Sequence, residues 1–96
     1  MSKKKKRTRK RARKTYRLGE KFPDISLPKQ EARCMAHLLR GKSAKGIARE
    51  LDLSPRTVEY YINRIKKKLK CRTKFELVDT VLESDFQANF DWKLIN

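Results

Sequence analysis

Ninety-six residues carry 27 Lys and Arg against 11 Asp and Glu, a formal net charge of +16. That length allows one small domain plus an appendage, and that charge favours a polyanionic partner. No apolar run approaches the roughly 18 residues that span a bilayer, and no apolar segment follows the basic start, so neither a membrane association nor a secretory signal is expected. The expected compartment is the cytoplasm, at the nucleoid.

The charge is unevenly placed. Residues 1–24 hold 12 Lys and Arg against Glu20 and Asp24, a net of +10, and residues 25–96 hold the remaining +6. The first 17 residues, MSKKKKRTRKRARKTYR, contain 11 Lys and Arg and no acid. Self-repulsion and the scarcity of apolar residues predict a disordered basic arm. Such an arm suits clamping of phosphates beside a folded domain; a nuclear-import address and a solubilising tail are the alternatives. Residues 18–26, with Gly19 and Pro23, read as a linker. The expected division is therefore 1–24 arm and linker, 25–84 folded domain, and 85–96 apolar extension.

A first helix is predicted from about Pro28 to Arg40, with Ala32, Cys34, Met35, Leu38 and Leu39 on its apolar side and Gly41 as a left-handed stop. Ser43 caps a second helix, Ala44–Leu51, facing inward through Ile47, Ala48 and Leu51. Gly46 weakens it or marks a close approach by another backbone or a phosphate. Only Asp52 and Leu53 separate that helix from the next cap, Ser54. So short a connection sets two helices at a steep angle, and Asp52 is among the residues that best tolerate a positive φ there after glycine.

The third helix, Ser54–Leu69, is the centre of the chain. Ser54 suits the N-cap and Pro55 the first turn. Val58, Ile62, Ile65 and Leu69 fall on one stripe, while Arg56, Tyr60, Asn63 and Lys67 face the other way with Glu59 and Arg64 flanking them. Amide, guanidinium and aromatic groups on a free helix face suit insertion into the DNA major groove; a solvated surface helix is the plainer alternative. Lys66, Lys67, Lys68, Lys70 and Arg72 crowd its end. They complement the helix dipole and also suit contact with a phosphate backbone.

Thr73 and Glu76 form a capping box that opens a fourth helix reaching about Ser84. Its apolar residues cover an arc too wide for one stripe. Phe75, Val78 and Leu82 form one side and Leu77 and Val81 extend it; Leu77 and Val81 are taken as candidates for a dimer interface. In the tail, Phe86, Ala88, Phe90, Trp92 and Leu94 alternate with a period of two, which leaves open a strand-like extension, a strap folded back over the helices, or a partner contact.

Chemistry other than binding finds little support. There is one histidine, no Gly-rich phosphate loop, and no Ser–His, Cys–His or paired-carboxylate arrangement, so no enzyme and no cofactor are expected. Cys34 and Cys71 sit in or beside apolar helical patterns and read as buried free thiols. With His37 they make three potential metal ligands without a fourth, so no metal site is expected.

From Leu27 to about Leu82 the chain resembles the LuxR-type (GerE-type) helix-turn-helix domain of bacterial transcription regulators. The carrying residues are Leu27, Glu31, Leu38, Gly41, Ser43, Lys45, Ile47, Ala48, Leu51 and the run Leu53-Ser54-Pro55-Arg56-Thr57-Val58. They continue with Ile65, Lys68, Leu69, Arg72, Glu76 and Leu77. The resemblance implies an all-α, four-helix domain whose third helix enters the major groove and whose fourth often pairs two copies. It implies base contacts from Glu59, Tyr60 and Asn63 and phosphate contacts from Lys45, Arg56 and Thr57; the charge reading adds Arg64, Lys66, Lys67 and Lys70. Pro28, Gly46, Asp52, Glu59 and Tyr61 depart from common family residues, and Glu59 points to a different target sequence. Many members carry a signal-receiving domain ahead of this one, where a basic arm is read here.

The expected function is sequence-specific double-stranded DNA binding in transcription regulation, as a possible homodimer and a possible RNA polymerase partner. The rivals are a sigma-factor region 4-like module that binds polymerase, a non-specific architectural DNA- or RNA-binding protein, and a protein–protein module built on the apolar tail.

Overall fold

The computed structural model describes residues 14–95. Two short strands, β1 (Thr15–Arg17) and β2 (Ser26–Pro28), precede α1 (Lys29–Leu39), α2 (Ala44–Leu51), α3 (Pro55–Leu69) and α4 (Lys74–Leu82). A four-residue helix, α5 (Phe86–Asn89), and a 3-10 turn over Trp92–Ile95 complete the chain. The four-helix reading holds, with additions at both ends.

Local signals place the helix ends. The Ser43 hydroxyl accepts from Gly46 N–H at 3.1 Å, and Ser54 accepts from Thr57 N–H at 3.1 Å. Thr73 accepts from Glu76 N–H at 3.0 Å, while the Glu76 carboxylate accepts from Arg72 N–H. The three hydroxyl bonds satisfy donors that the first helical turn leaves free, and the Glu76 bond ties down the residue before the cap. Gly41, at φ +86°, ends α1, and its N–H donates to Leu38 O at 2.9 Å. Asp52 ends α2 in the left-handed conformation, φ 57° and ψ 47°. Lys70 does the same for α3 at φ 58°, a turn for which its side chain gave no signal.

Val58, Ile62 and Ile65 are fully buried, and α3 packs through them against α1, α2 and α4. Burying that stripe leaves the opposite side of α3 to solvent, and this is how the core positions the candidate site.

The ends of the domain differ from the sequence expectation. Residues 15–17 form a strand rather than part of a disordered arm, paired antiparallel with β2 in the register Thr15–Pro28, Tyr16–Leu27 and Arg17–Ser26. Tyr16 and Leu18 are buried, so the folded unit begins before residue 25. The arm assignment for residues 1–13 falls outside the described residues. The turn after β1 needs Gly19: its φ is +92°, and a Cβ there would overlap the Asp85 side chain.

The C-terminal extension is a strap. Asp85 N–H donates to Leu18 O at 3.0 Å, and the Asn89 amide donates to Arg17 O at 3.0 Å. One helical turn puts Phe86 and Phe90 on the same side, with ring centroids 5.3 Å apart, and Tyr16 meets Phe90 edge-on at 5.2 Å. The period-two pattern does not become a strand, because i,i+4 spacing buries these two phenylalanines while Ala88 faces solvent. Trp92 stands edge-on to Phe90 at 5.2 Å, with the Arg40 guanidinium over its ring.

In α4 the inward stripe is Leu77 and Val81, both fully buried. They are therefore not available to a second copy. The side that stays outside carries Phe75, 78% exposed, and Leu82, 46% exposed. The wheel arc alone could not choose between the sides; the position of α3 and the strap chose.

His37 is buried at the end of α1, and among the described residues its Nδ1 has no hydrogen-bond partner. Burial first and then Lys42 lower its pKa below the ordinary 6.5; Glu50 opposes this, and Arg33 and Arg40 add smaller decreases. As pH falls below about 6.5 the unfolded chain takes up this proton before the folded one. Stability from keeping His37 neutral is thus full above pH 6.5, declines on acidification, and is gone below the folded-state pKa. Urea unfolding from pH 8 to 5 should show this decline, and His37→Leu should flatten it; an unchanged slope would remove His37 as its source.

Candidate nucleic-acid interface

The outward side of α3 presents Arg56, Glu59, Tyr60, Asn63 and Lys67, all exposed. At about 100° per residue these span an arc of roughly 100° on the side of the helix opposite Val58, Ile62 and Ile65. Glu59, Asn63 and Lys67 have no side-chain partner among the described residues, so their polar groups are free for a ligand. Tyr60 is 55% exposed, unusual for an aromatic ring that the core has no part in holding.

The cations expected at phosphates do not form one set. Lys45 lies in the first turn of α2 and Arg56 in the first turn of α3, both exposed. Thr57 is half-buried, its hydroxyl 2.9 Å from that of Ser54. Lys67 and Lys70 are exposed at the far end of α3. Lys66 is half-buried and turned about 120° from Tyr60, so the fold does not bring it onto the free face.

Arg64 is placed differently from the rest. Its Nε donates to Glu31 Oε2 at 2.8 Å and one terminal nitrogen donates to the Tyr60 hydroxyl at 3.3 Å. Its guanidinium carbon lies 5.7 Å from the Tyr60 ring centroid. Glu31 is 3% exposed, and its second oxygen accepts from Lys68 Nζ at 2.7 Å. Two cations on one nearly buried carboxylate satisfy a charge that would be costly to leave alone. The hydrogen bonds to Glu31 and then Tyr60 raise the Arg64 pKa further, so the group is permanently charged. Sequence reasoning assigned Glu31 no role at the site. The signal was faint: Tyr60, Arg64 and Lys68 recur every four residues on the flank of α3 that faces α1.

Beside this cluster an open cleft of about 390 Å³ runs between the start of α1 and α3, lined by Pro28, Lys29, Gln30, Glu31, Tyr60, Tyr61 and Arg64. Thr15 pairs with Pro28, one of the lining residues, so β1 begins beside this cleft.

Among the described residues no three of His, Cys, Asp and Glu are placed to hold a metal ion, and no helix is long and apolar enough to cross a membrane. Burial pushes the Cys34 thiol up to about 11, which makes it a poor nucleophile. Cys71 lies 3.5 Å from the Thr80 hydroxyl and is likewise a free cysteine.

The family described as bacterial regulatory proteins, luxR family, matches residues 25–81. The chain belongs to the LuxR family. That span runs from just before β2 almost to the end of α4 and contains every candidate residue on α2 and α3. Strand β1 and the strap lie outside it.

Among similar proteins, the transcriptional regulatory protein FixJ of Bradyrhizobium diazoefficiens is 43% identical over 53 residues, 55% of this chain and 26% of FixJ. The DNA-binding transcriptional activator EvgA of Escherichia coli is 38% identical over 52 residues, 54% of this chain and 26% of EvgA. Of solved structures, the Vibrio cholerae VqmA dimer, a LuxR-type receptor described in the absence of its target DNA, superposes with a TM-score of 0.63 at 30% identity. That alignment covers 70% of this chain and 30% of VqmA. The LuxR-family chain thus spans about a quarter of the length of the relatives it matches.

Proposed function

We propose that this chain is a sequence-specific double-stranded DNA-binding transcription regulator, acting at the nucleoid, that inserts α3 into the major groove. One observation carries the reading: the Val58, Ile62 and Ile65 stripe is buried while Tyr60, Glu59 and Asn63 stay open on the other side of the same helix. Glu59, Tyr60 and Asn63 read base edges, with Asn63 suited to the paired acceptor and donor of adenine and Glu59 to the cytosine amino group. Lys45, Arg56, Thr57, Lys67 and Lys70 meet phosphates, with a smaller part for Lys66. The basic arm meets phosphates on the side where β1 begins, beside the cleft.

A second copy binds through the exposed side of α4, where Phe75 and Leu82 offer apolar surface, and the favoured site is then palindromic.

The test is selection of favoured sites from random duplex DNA at physiological salt. Asn63→Ala should flatten preference at one base pair by about 1–3 kcal/mol and leave affinity for scrambled duplex nearly unchanged. A selected preference that survives Asn63→Ala intact would overturn the assignment of this face, and absence of any selected site would overturn the function.

A further inference from the structure

The Glu31, Arg64 and Tyr60 cluster has a geometry that a phosphate contact does not need. A phosphate is satisfied by a mobile point charge, and α3 already carries lysines for that purpose. Arg64 instead has its guanidinium plane set by two bonds of different kinds, a carboxylate at Nε and a hydroxyl at one terminal nitrogen. With Nε held at 2.8 Å by Glu31, the end of the fork is what remains for a ligand. Its second terminal nitrogen takes no partner among the described residues, and the side chain is 47% exposed. Arginine loses much rotamer freedom when it binds; here that loss precedes DNA.

The charge balance supports the same use. A lone carboxylate beside a reading arginine would cancel its charge and repel DNA. Glu31 is nearly buried and shared with Lys68 at 2.7 Å, so the three groups together keep a net positive charge. Tyr60 closes the other side of the guanidinium, one helical turn away on the free face.

We propose that Arg64 and Tyr60 act as one preset reading unit for a guanine, with Glu31 as the positioning residue that fixes the fork. This rests on the major-groove reading above and adds to it a specificity determinant and its base. The end of an arginine fork matches the O6 and N7 acceptors of guanine in one rigid plane, whereas a lysine ammonium reaches them only as a flexible point charge. Glu31 touches no DNA; it acts only through Arg64.

The test uses the full chain and the site it selects. Arg64→Lys keeps the charge and should lower discrimination at one G·C pair about tenfold or more, with the salt dependence and the affinity for scrambled duplex unchanged. Replacing that guanine by 7-deazaguanine, which lacks N7, should weaken wild-type binding clearly more than Arg64→Lys binding. Glu31→Gln should relax the same position selectively.

The inference is overturned if Arg64→Lys preserves the preference at every position, or if 7-deazaguanine weakens both proteins equally. It is also overturned if Glu31→Gln lowers affinity for all sites alike, the mark of a merely structural role. Should Asn63→Ala flatten a site that Arg64→Lys does not, only this inference fails; should the wild-type chain select no site, the major-groove reading fails first.

Discussion

Phe86→Ala should cost about 3–5 kcal/mol of stability, a large part of the 5–15 kcal/mol typical of a domain. Phe86 is fully buried, stacks on Phe90, and through it reaches the Tyr16 ring. Truncation leaves a cavity between β1 and the strap that neither short segment can close by itself. The melting temperature should fall by roughly 15–30 °C. Trp92, the one tryptophan, sits on the same aromatic cluster and donates its indole N–H to Gln87 O at 2.9 Å. Its fluorescence in urea should therefore change together with the helical circular dichroism signal, in wild type and variant alike. A loss below 1 kcal/mol, or a Trp92 transition that precedes the helical one, would show the strap to be peripheral. At a temperature where the variant is folded, its choice of DNA site should be unaltered, because the strap lies away from the free face of α3.

Removal of residues 1–13 and removal of residues 1–18 should have opposite characters. The shorter deletion takes away nine Lys and Arg and leaves β1 intact. If about half of those cations meet phosphates, the slope of log affinity against log salt becomes shallower by about 4, and all duplexes lose affinity alike, by roughly 10²-fold or more. Thermal stability should hardly change. The longer deletion also removes Tyr16 and Leu18 and the backbone acceptor that Asp85 uses, and should leave a largely unfolded chain. Titration of a selected and a scrambled duplex at three salt concentrations checks the first result, and circular dichroism the second. Equal salt slopes with and without residues 1–13 would exclude the arm from the complex; a folded protein without residues 1–18 would refute the role given to β1.

These expectations divide along the same line as the sequence reading. Ser43, Ser54 and Thr73 act within three residues of themselves, and Asp52 and Gly41 act through their own φ angles. Such signals are complete in a short window, so the four main helices and the inward stripe of α3 were legible without coordinates, as was the outward set of Glu59, Tyr60 and Asn63. The bonds that differ from expectation join distant residues. Arg64 reaches Glu31 across 33 positions and Lys68 across 37, and Asn89 reaches Arg17 across 72.

Fold topology chose between stripes that periodicity left equal. Leu77 and Val81 turned inward because α3 and the strap cover that side, and Phe75 was left outside. The chain itself determined where its helices begin and end and which residues α3 offers to solvent, since propensity, capping and helical period are local. Only tertiary packing decided that residues 15–18 and 86–92 close on each other, and that Glu31 aims Arg64, since one sequence carries no local mark of which remote segments meet.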